Sequence, residues 1–478
     1  MAAADVVIIG AGPNGLSAAI ALGRAGIETA VLEAAQQPGG GLRTEEITLR
    51  GFHHDVCSAV HPLALASPFL RSLDLARHGL TWIQPDCPLV HVGRDGQAFA
   101  LERSLQDTAM RLGNDGAEWL RIAEPFIARF DELMDTALGP LRRPASPSLV
   151  AEFGLLALRS ARGLADAHFR GTAMRALFAG MAAHSMQPLD SLATSAIALV
   201  LALAAHVVGW PIPRGGSRSV CNALIAELRE RGGSVMLGRS IRTLADLPPA
   251  RAYVFDVTPR QLLAITEGAL PSAYRRRLLR FRYGPGVCKV DWALRAPIPW
   301  LDRGCARAAT VHLGGTLEDI ATAEAAVAAG KRPKRPFVIL VQPTLFDTSR
   351  APDGMHTAWA YCHVPLGSNE SRAAAIERQI EKAAPGFHET VLARSVRTAA
   401  DLERLNPNLI GGDINGGSAR LSQLFFRPTM SRDPYATPHP KIFLCSASTP
   451  PGGGVHGMCG YWAAQSVLRS VFGKRALS

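Results

Sequence analysis

Residues 5–33 constrain this chain more than any other stretch. Asp5-Val-Val-Ile-Ile is a short β-branched apolar run of the kind that makes a fully buried parallel strand. It runs straight into Gly10-Ala-Gly12-Pro13-Asn14-Gly15, after which residues 16–25 favour helix and Gly26 stops it. Residues 27–32 then predict a second strand ending on Glu33. A lone glycine pattern of this kind is only a turn. Strand, glycine turn, helix, strand and terminal acid in this order are what a dinucleotide-binding βαβ unit needs. Gly10 makes the tight turn, Gly12 leaves room for a pyrophosphate, and Gly15 lets helix and strand pack closely. Pro13 and Asn14 complete the loop, and the positive helix end faces the phosphates. Glu33 accepts ribose hydroxyls, and its charge disfavours a 2′-phosphate.

The rest of the chain must support such a unit. Its 478 residues, 47% hydrophobic and 19% charged, are enough for two or three domains with a large core, and they exclude disorder. Fifty-one Lys and Arg against 40 Asp and Glu give a net charge of +11. The densest basic clusters, 275–277 and 331–335, are short and have little aromatic company, so no nucleic-acid partner is expected. Peripheral contact with an anionic membrane surface stays open as a second reading of the same charge. The eight cysteines form no C-x-x-C pair and no zinc pattern, which reads as reduced, buried thiols in a cytoplasmic protein that holds no metal. Residues 1–23 lack the basic start of a signal peptide, and glycines interrupt their apolar run. Residues 192–210 are long enough to span a bilayer but carry His206, and we read them as a buried helix or one lining an apolar cavity.

A second glycine loop, Gln37-Pro-Gly39-Gly40-Gly41-Leu42-Arg43-Thr44, follows just past Glu33. It resembles the G-G-x-x-R-T signature of flavoproteins in the amine oxidase and phytoene desaturase superfamily. The resemblance implies FAD as the cofactor, with Gly40, Gly41, Leu42 and Thr44 close to it and Arg43 near its pyrophosphate and flavin.

Further along, residues 220–231 read as an amphipathic helix, 234–244 as an alternating strand and 252–259 as a buried strand. Residues 440–445 read as another strand. Ser446-Ala-Ser-Thr-Pro-Pro-Gly452-Gly453-Gly454-Val455-His456-Gly457 then leads into a helix from Met458. With this run the resemblance covers the whole chain. It is to phytoene desaturase-like flavoproteins, closest to the pyridine nucleotide-disulphide oxidoreductase domain-containing subgroup. The resemblance implies that Ile241 contacts the adenine through its backbone and that Ser446, Gly454 and Val455 lie along the flavin. The helix from Met458 then points its N-terminus at the flavin ring. Two departures argue against a carotenoid substrate while keeping FAD. Ser446-Ala447 replaces a Gly-Asp or Gly-Ala pair, and Cys57 stands where the segment from Gly51 to Val56 ends in glycine among relatives.

His456 is the candidate catalytic residue beside the flavin, with a backbone-orienting role as its alternative. Cys459 reads as a buried small hydrophobe. His61, His184, His312 and His363 either line the substrate cavity or are ordinary satisfied histidines.

The implied fold class is α/β, a discontinuous Rossmann-type, glutathione reductase-like FAD domain with an inserted α+β substrate domain and a helical cap. The expected parts are 1–110, 210–262 and 431–478 for the FAD domain, 111–209 for the cap and 263–430 for the substrate domain. Residues 411–417 lack the register of a second dinucleotide loop, so no nicotinamide domain is expected. The expected function is FAD-dependent oxidoreduction, as dehydrogenase or oxidase, with hydride transfer between flavin N5 and a C–H or C–N bond of an apolar small-molecule substrate. A redox-neutral polyene isomerase or saturase using reduced FAD is one alternative. A flavin-binding interaction protein with little catalysis is another. Substrate identity, redox direction, electron acceptor and oligomeric state, homodimer included, are not written in the sequence.

Overall fold

The computed structural model describes residues 4–474. At its centre is a five-stranded parallel sheet in the order Ile442–Leu444, Ala252–Phe255, Val6–Ile9, Thr29–Leu32, Ser234–Met236. Val6 pairs with Thr29 on one side and with Ala252 on the other. Every residue of Val6–Ile9 is buried, because both faces of the sheet are covered. Val6, Ile8, Val31 and Val254 point into a core shared with helices Pro13–Arg24, Arg218–Glu230 and Met458–Phe472. Val7, Ile9, Leu32 and Phe255 point the other way, against Leu262 and Leu278 of helices Pro259–Ile265 and Ser272–Leu279.

A second, seven-stranded mixed sheet runs Val391–Arg397, Gly286–Leu294, His356–Val364, Val338–Val341, Ala308–Leu313, Cys87–Val92, Ala98–Leu101. One face packs on helix Ala373–Ala383 through Trp292, Ile376 and Phe387. The other lies under the helical layer, against Thr172–Ala183 and Leu317–Ala328.

Two expectations change here, and a third, the buried helix, holds. Strands Cys87–Val92 and Ala98–Leu101 fall within the segment 1–110 expected in the FAD domain. They hydrogen-bond instead into the seven-stranded sheet, because the buried strand Cys87–Val92 finds its parallel partner in Ala308–Leu313. The alternating run 234–244 is a strand only over Ser234–Met236, since Gly238 turns left-handed at φ +66° and breaks the extension. Residues 192–210 form the helix Thr194–Val207, which packs on Thr172–Ala183. Among the described residues no helix is long and apolar enough to cross a membrane.

Where the first and last helices cross, backbone touches backbone: a Cβ on Gly460 would lie 1.9 Å from the carbonyl oxygen of Asn14. Gly460→Ala is therefore expected to force the helices apart and cost about 2–3 kcal/mol. Gly154→Ala, in a helix position with nothing within 4 Å, serves as the control and should hold or raise stability slightly. Denaturant unfolding of the two variants checks this.

Candidate functional site

The parallel strands end on a cavity of about 340 Å³, at the edge of the sheet where open α/β folds bind ligands. Three glycine-bearing segments meet there. Gly12, Pro13 and Asn14 line it from the first turn, Gly40 and Gly41 from the second loop, and Ser446, Gly454 and Val455 from the third. The first two loops are tied together, with the Gly39 amide donating to the Ala11 carbonyl at 2.9 Å and a Cβ on Gly40 falling 3.3 Å from Gly12 Cα. Gly10 takes φ +109°, and a Cβ on Gly15 would lie 2.0 Å from the Gly10 oxygen. Gly10 and Gly15 therefore shape the turn from behind the cavity wall.

Glu33 is held at the end of its strand by two backbone donors. Ala11 N–H donates to Oε2 at 2.8 Å and Ala35 N–H to Oε1 at 2.9 Å. Each carboxylate oxygen keeps a lone pair for a further donor. Arg43 is anchored loosely, Nη1 lying 3.6 Å from Glu45, and its Nε is buried with no hydrogen-bond partner among the described residues. An unpaired buried guanidinium donor beside a glycine cradle suits an anionic or carbonyl-rich ligand.

Leu42, Thr44 and Ile241 do not line the cavity. Leu42 is fully buried in the core. Thr44 donates to Asp55 at 2.8 Å and accepts the Arg218 amide at 3.0 Å, so it fastens the loop to the helix Arg218–Glu230. Asp55 is itself a buried hub that also accepts from Ser217 N–H and Arg350 Nη2, each at 2.8 Å. Burial works to raise its pKa, but the Arg350 guanidinium and the donors hold the carboxyl below its usual range. Ile241 is half-buried against the outer apolar layer of the parallel sheet.

His456 needs correction as the catalytic candidate. It is fully buried and turned away from the cavity wall formed by its neighbours Gly454 and Val455. Its Nδ1 accepts the Met458 amide at 3.0 Å, and its Nε2–H donates to the Gly452 carbonyl at 3.2 Å. Ser67 Oγ donates to the His456 carbonyl at 2.6 Å. Burial lowers its pKa to about 4, so it is a neutral ring that stitches the glycine run to the helix that follows.

Of the four other histidines, His61 and His184 border the cavity. His61 Nε2 pairs with Ser217 Oγ at 2.9 Å, and burial lowers its pKa to about 4. His184 Nε2 lies 3.1 Å from His312 Nε2, with His91 packed edge-on behind His312. Burial lowers His184 to about 3 and His312 well below the usual value. His363 stands further back, with Nδ1 2.8 Å from Glu324.

Two aromatic lining residues were missed from sequence. Trp359 and Tyr361 border the cavity with nearly parallel rings, 6.0 Å between centroids. Behind Trp359, the Lys289 ammonium sits 5.3 Å from its ring and pairs with Asp291. Burial pushes the Lys289 pKa down. Period-2 alternation along His356–Val364 puts Trp359, Tyr361 and His363 on one face, and that signal was available.

Known proteins agree with this geometry. Residues 8–72 match the NAD(P)-binding Rossmann-like domain family. The mouse pyridine nucleotide-disulfide oxidoreductase domain-containing protein 2 is 27% identical, over 98% of this chain and 94% of that protein. Phytoene dehydrogenase of Streptomyces griseus is 25% identical, over 75% of this chain and 73% of the enzyme. A structure of putrescine oxidase bound to putrescine superimposes with a TM-score of 0.62, at 18% identity, over 98% of this chain and 99% of that one. Across nearly its whole length, this chain is similar in sequence to the pyridine nucleotide-disulfide oxidoreductase domain-containing protein 2, with a Rossmann-like segment at residues 8–72 and a fold similar to that of putrescine oxidase.

Proposed function

We propose that the chain is an FAD-dependent oxidoreductase acting on an apolar organic small molecule. One observation carries this reading: the three glycine segments and the Trp359–Tyr361 ring pair line one and the same cavity. Cofactor and substrate then share one cavity.

The residues present fit the cofactor. Gly12, Pro13 and Asn14 would hold the pyrophosphate at the start of helix Pro13–Arg24, where the Asn14 amide and the helix dipole favour an anion. Glu33 would hold the ribose, and the unpaired Nε of Arg43 the pyrophosphate or the flavin. Gly40, Gly41, Ser446, Gly454 and Val455 would pass along the ring system. When bound, FAD supplies hydride transfer at N5 to or from a C–H or C–N bond. The chain supplies dryness through Trp359 and Tyr361, and neutral imidazoles at His61 and His184. The His184–His312 hydrogen bond uses one protonated and one bare Nε2, so the pair stays neutral and orients the ring that borders the cavity.

FAD is expected to leave intact on acid denaturation. Gly12→Val should abolish binding, because even a Cβ there meets Asp256 Oδ2 at 2.7 Å and the branched side chain fills the cradle. Glu33→Ala should weaken binding by about 1.5–3 kcal/mol through lost charge-assisted hydrogen bonds. Flavin fluorescence titration of the apoprotein measures both. His456→Ala is expected to lower FAD retention and melting temperature together. A variant that keeps FAD and its stability but is reduced slowly would restore a catalytic role for this residue.

A further inference from the structure

Asp256 follows the strand Ala252–Phe255 and stands inside the cradle, 6% exposed, at the cavity wall. Its Oδ2 accepts the Gly15 amide at 3.0 Å and lies 2.7 Å from where a Cβ on Gly12 would sit. A carboxyl thus occupies space beside the very turn that would receive a pyrophosphate. The charged side chain acting on it is Glu33, another anion, from the neighbouring strand end. Cys445, from the adjoining strand end, and Cys459, from the last helix, also face it, and burial keeps both thiols neutral. Burial, reinforced by Glu33 and opposed by the Gly15 amide, pushes the carboxyl up to about 7. A pyrophosphate would add negative charge at the same turn, and like charges in a buried site are not ionised together.

We propose that Asp256 is protonated in the FAD complex and donates a hydrogen bond to the cofactor through the oxygen that Gly15 does not use, so that FAD binding takes up one proton from solvent. This rests on the cavity being an FAD site. It makes Asp256 a cofactor-binding residue that works as a neutral acid, equivalent to an amide.

The sign follows from linkage. Where the free protein already carries the proton, FAD affinity is independent of pH. Above that range the proton must be taken up on binding, and affinity falls as pH rises.

The test is reconstitution of the full-length apoprotein with FAD, followed by flavin fluorescence from pH 6 to 9, for the wild type and Asp256→Asn. The expected wild-type dissociation constant is flat below pH 7 and weakens about tenfold per unit above it. Asp256→Asn should bind with about the wild-type pH 6 affinity across the whole range. Calorimetry of the wild type at pH 8 in two buffers of different ionisation enthalpy should report one proton taken up per FAD, which stands even if the variant does not fold. A pH-independent wild-type affinity with no proton uptake overturns the inference while leaving FAD as the cofactor. So does a folded Asp256→Asn protein that has lost FAD. Failure of wild type to bind FAD at any pH overturns the FAD reading itself, and this inference with it.

Discussion

Backbone contact between the helices Pro13–Arg24 and Met458–Phe472 is the constraint on which the site depends. Gly460 against the Asn14 carbonyl brings together segments from opposite ends of the described chain. It brings the 454–455 run to the cavity that Gly12 and Gly40 also line. The crossing needs close approach on both helices, and the Asn14 backbone, Ser17 and Ala18 provide it on the first. The parallel sheet repeats the same long-range closure, since Ala252–Phe255 sits between Val6–Ile9 and Ile442–Leu444. Non-local pairing of this kind makes loop-closure entropy a large part of the cost of assembling the cradle.

Much of the cradle was legible in sequence because its demands are local. A left-handed Gly10, a Gly15 without room for a Cβ and a Glu33 at a strand end are requirements that the residues at those positions state themselves. The second and third glycine runs were legible through resemblance, and the cavity brings them to the first. What failed depended on partners distant in the chain. Nothing within residues 87–101 says that their parallel neighbour begins at Ala308. His456 follows a glycine run as a flavin-facing residue would, but its ring turns inward to Met458 and Gly452. Asp256 looked like the end of an ordinary buried strand until the fold set it beside Gly12. Thr44 belonged to the right loop but spends its hydroxyl on Asp55 and Arg218.

The seven-stranded sheet gives the cavity a different character from the cradle. Its covered face carries His91 opposite His312, and Ile339 opposite both His312 and Tyr361, so two imidazoles sit side by side and Ile339 separates them from Tyr361. Gly180 is what permits the helical layer to close over them. A Cβ there would lie 2.6 Å from His312 Nδ1 and 3.0 Å from His91 Nδ1.

That row of rings has a cost in acid. His91, His184 and His312 are neutral in the fold, the first two with pKa values lowered by burial to about 4 and about 3. In the unfolded chain each would take a proton near pH 6.5. Their contribution to stability is therefore complete above that pH. It drains away as the pH falls toward the folded-state values, because protons pull the equilibrium to the unfolded side. The same burial that keeps the inner wall uncharged makes the fold progressively less stable as the surroundings turn acid.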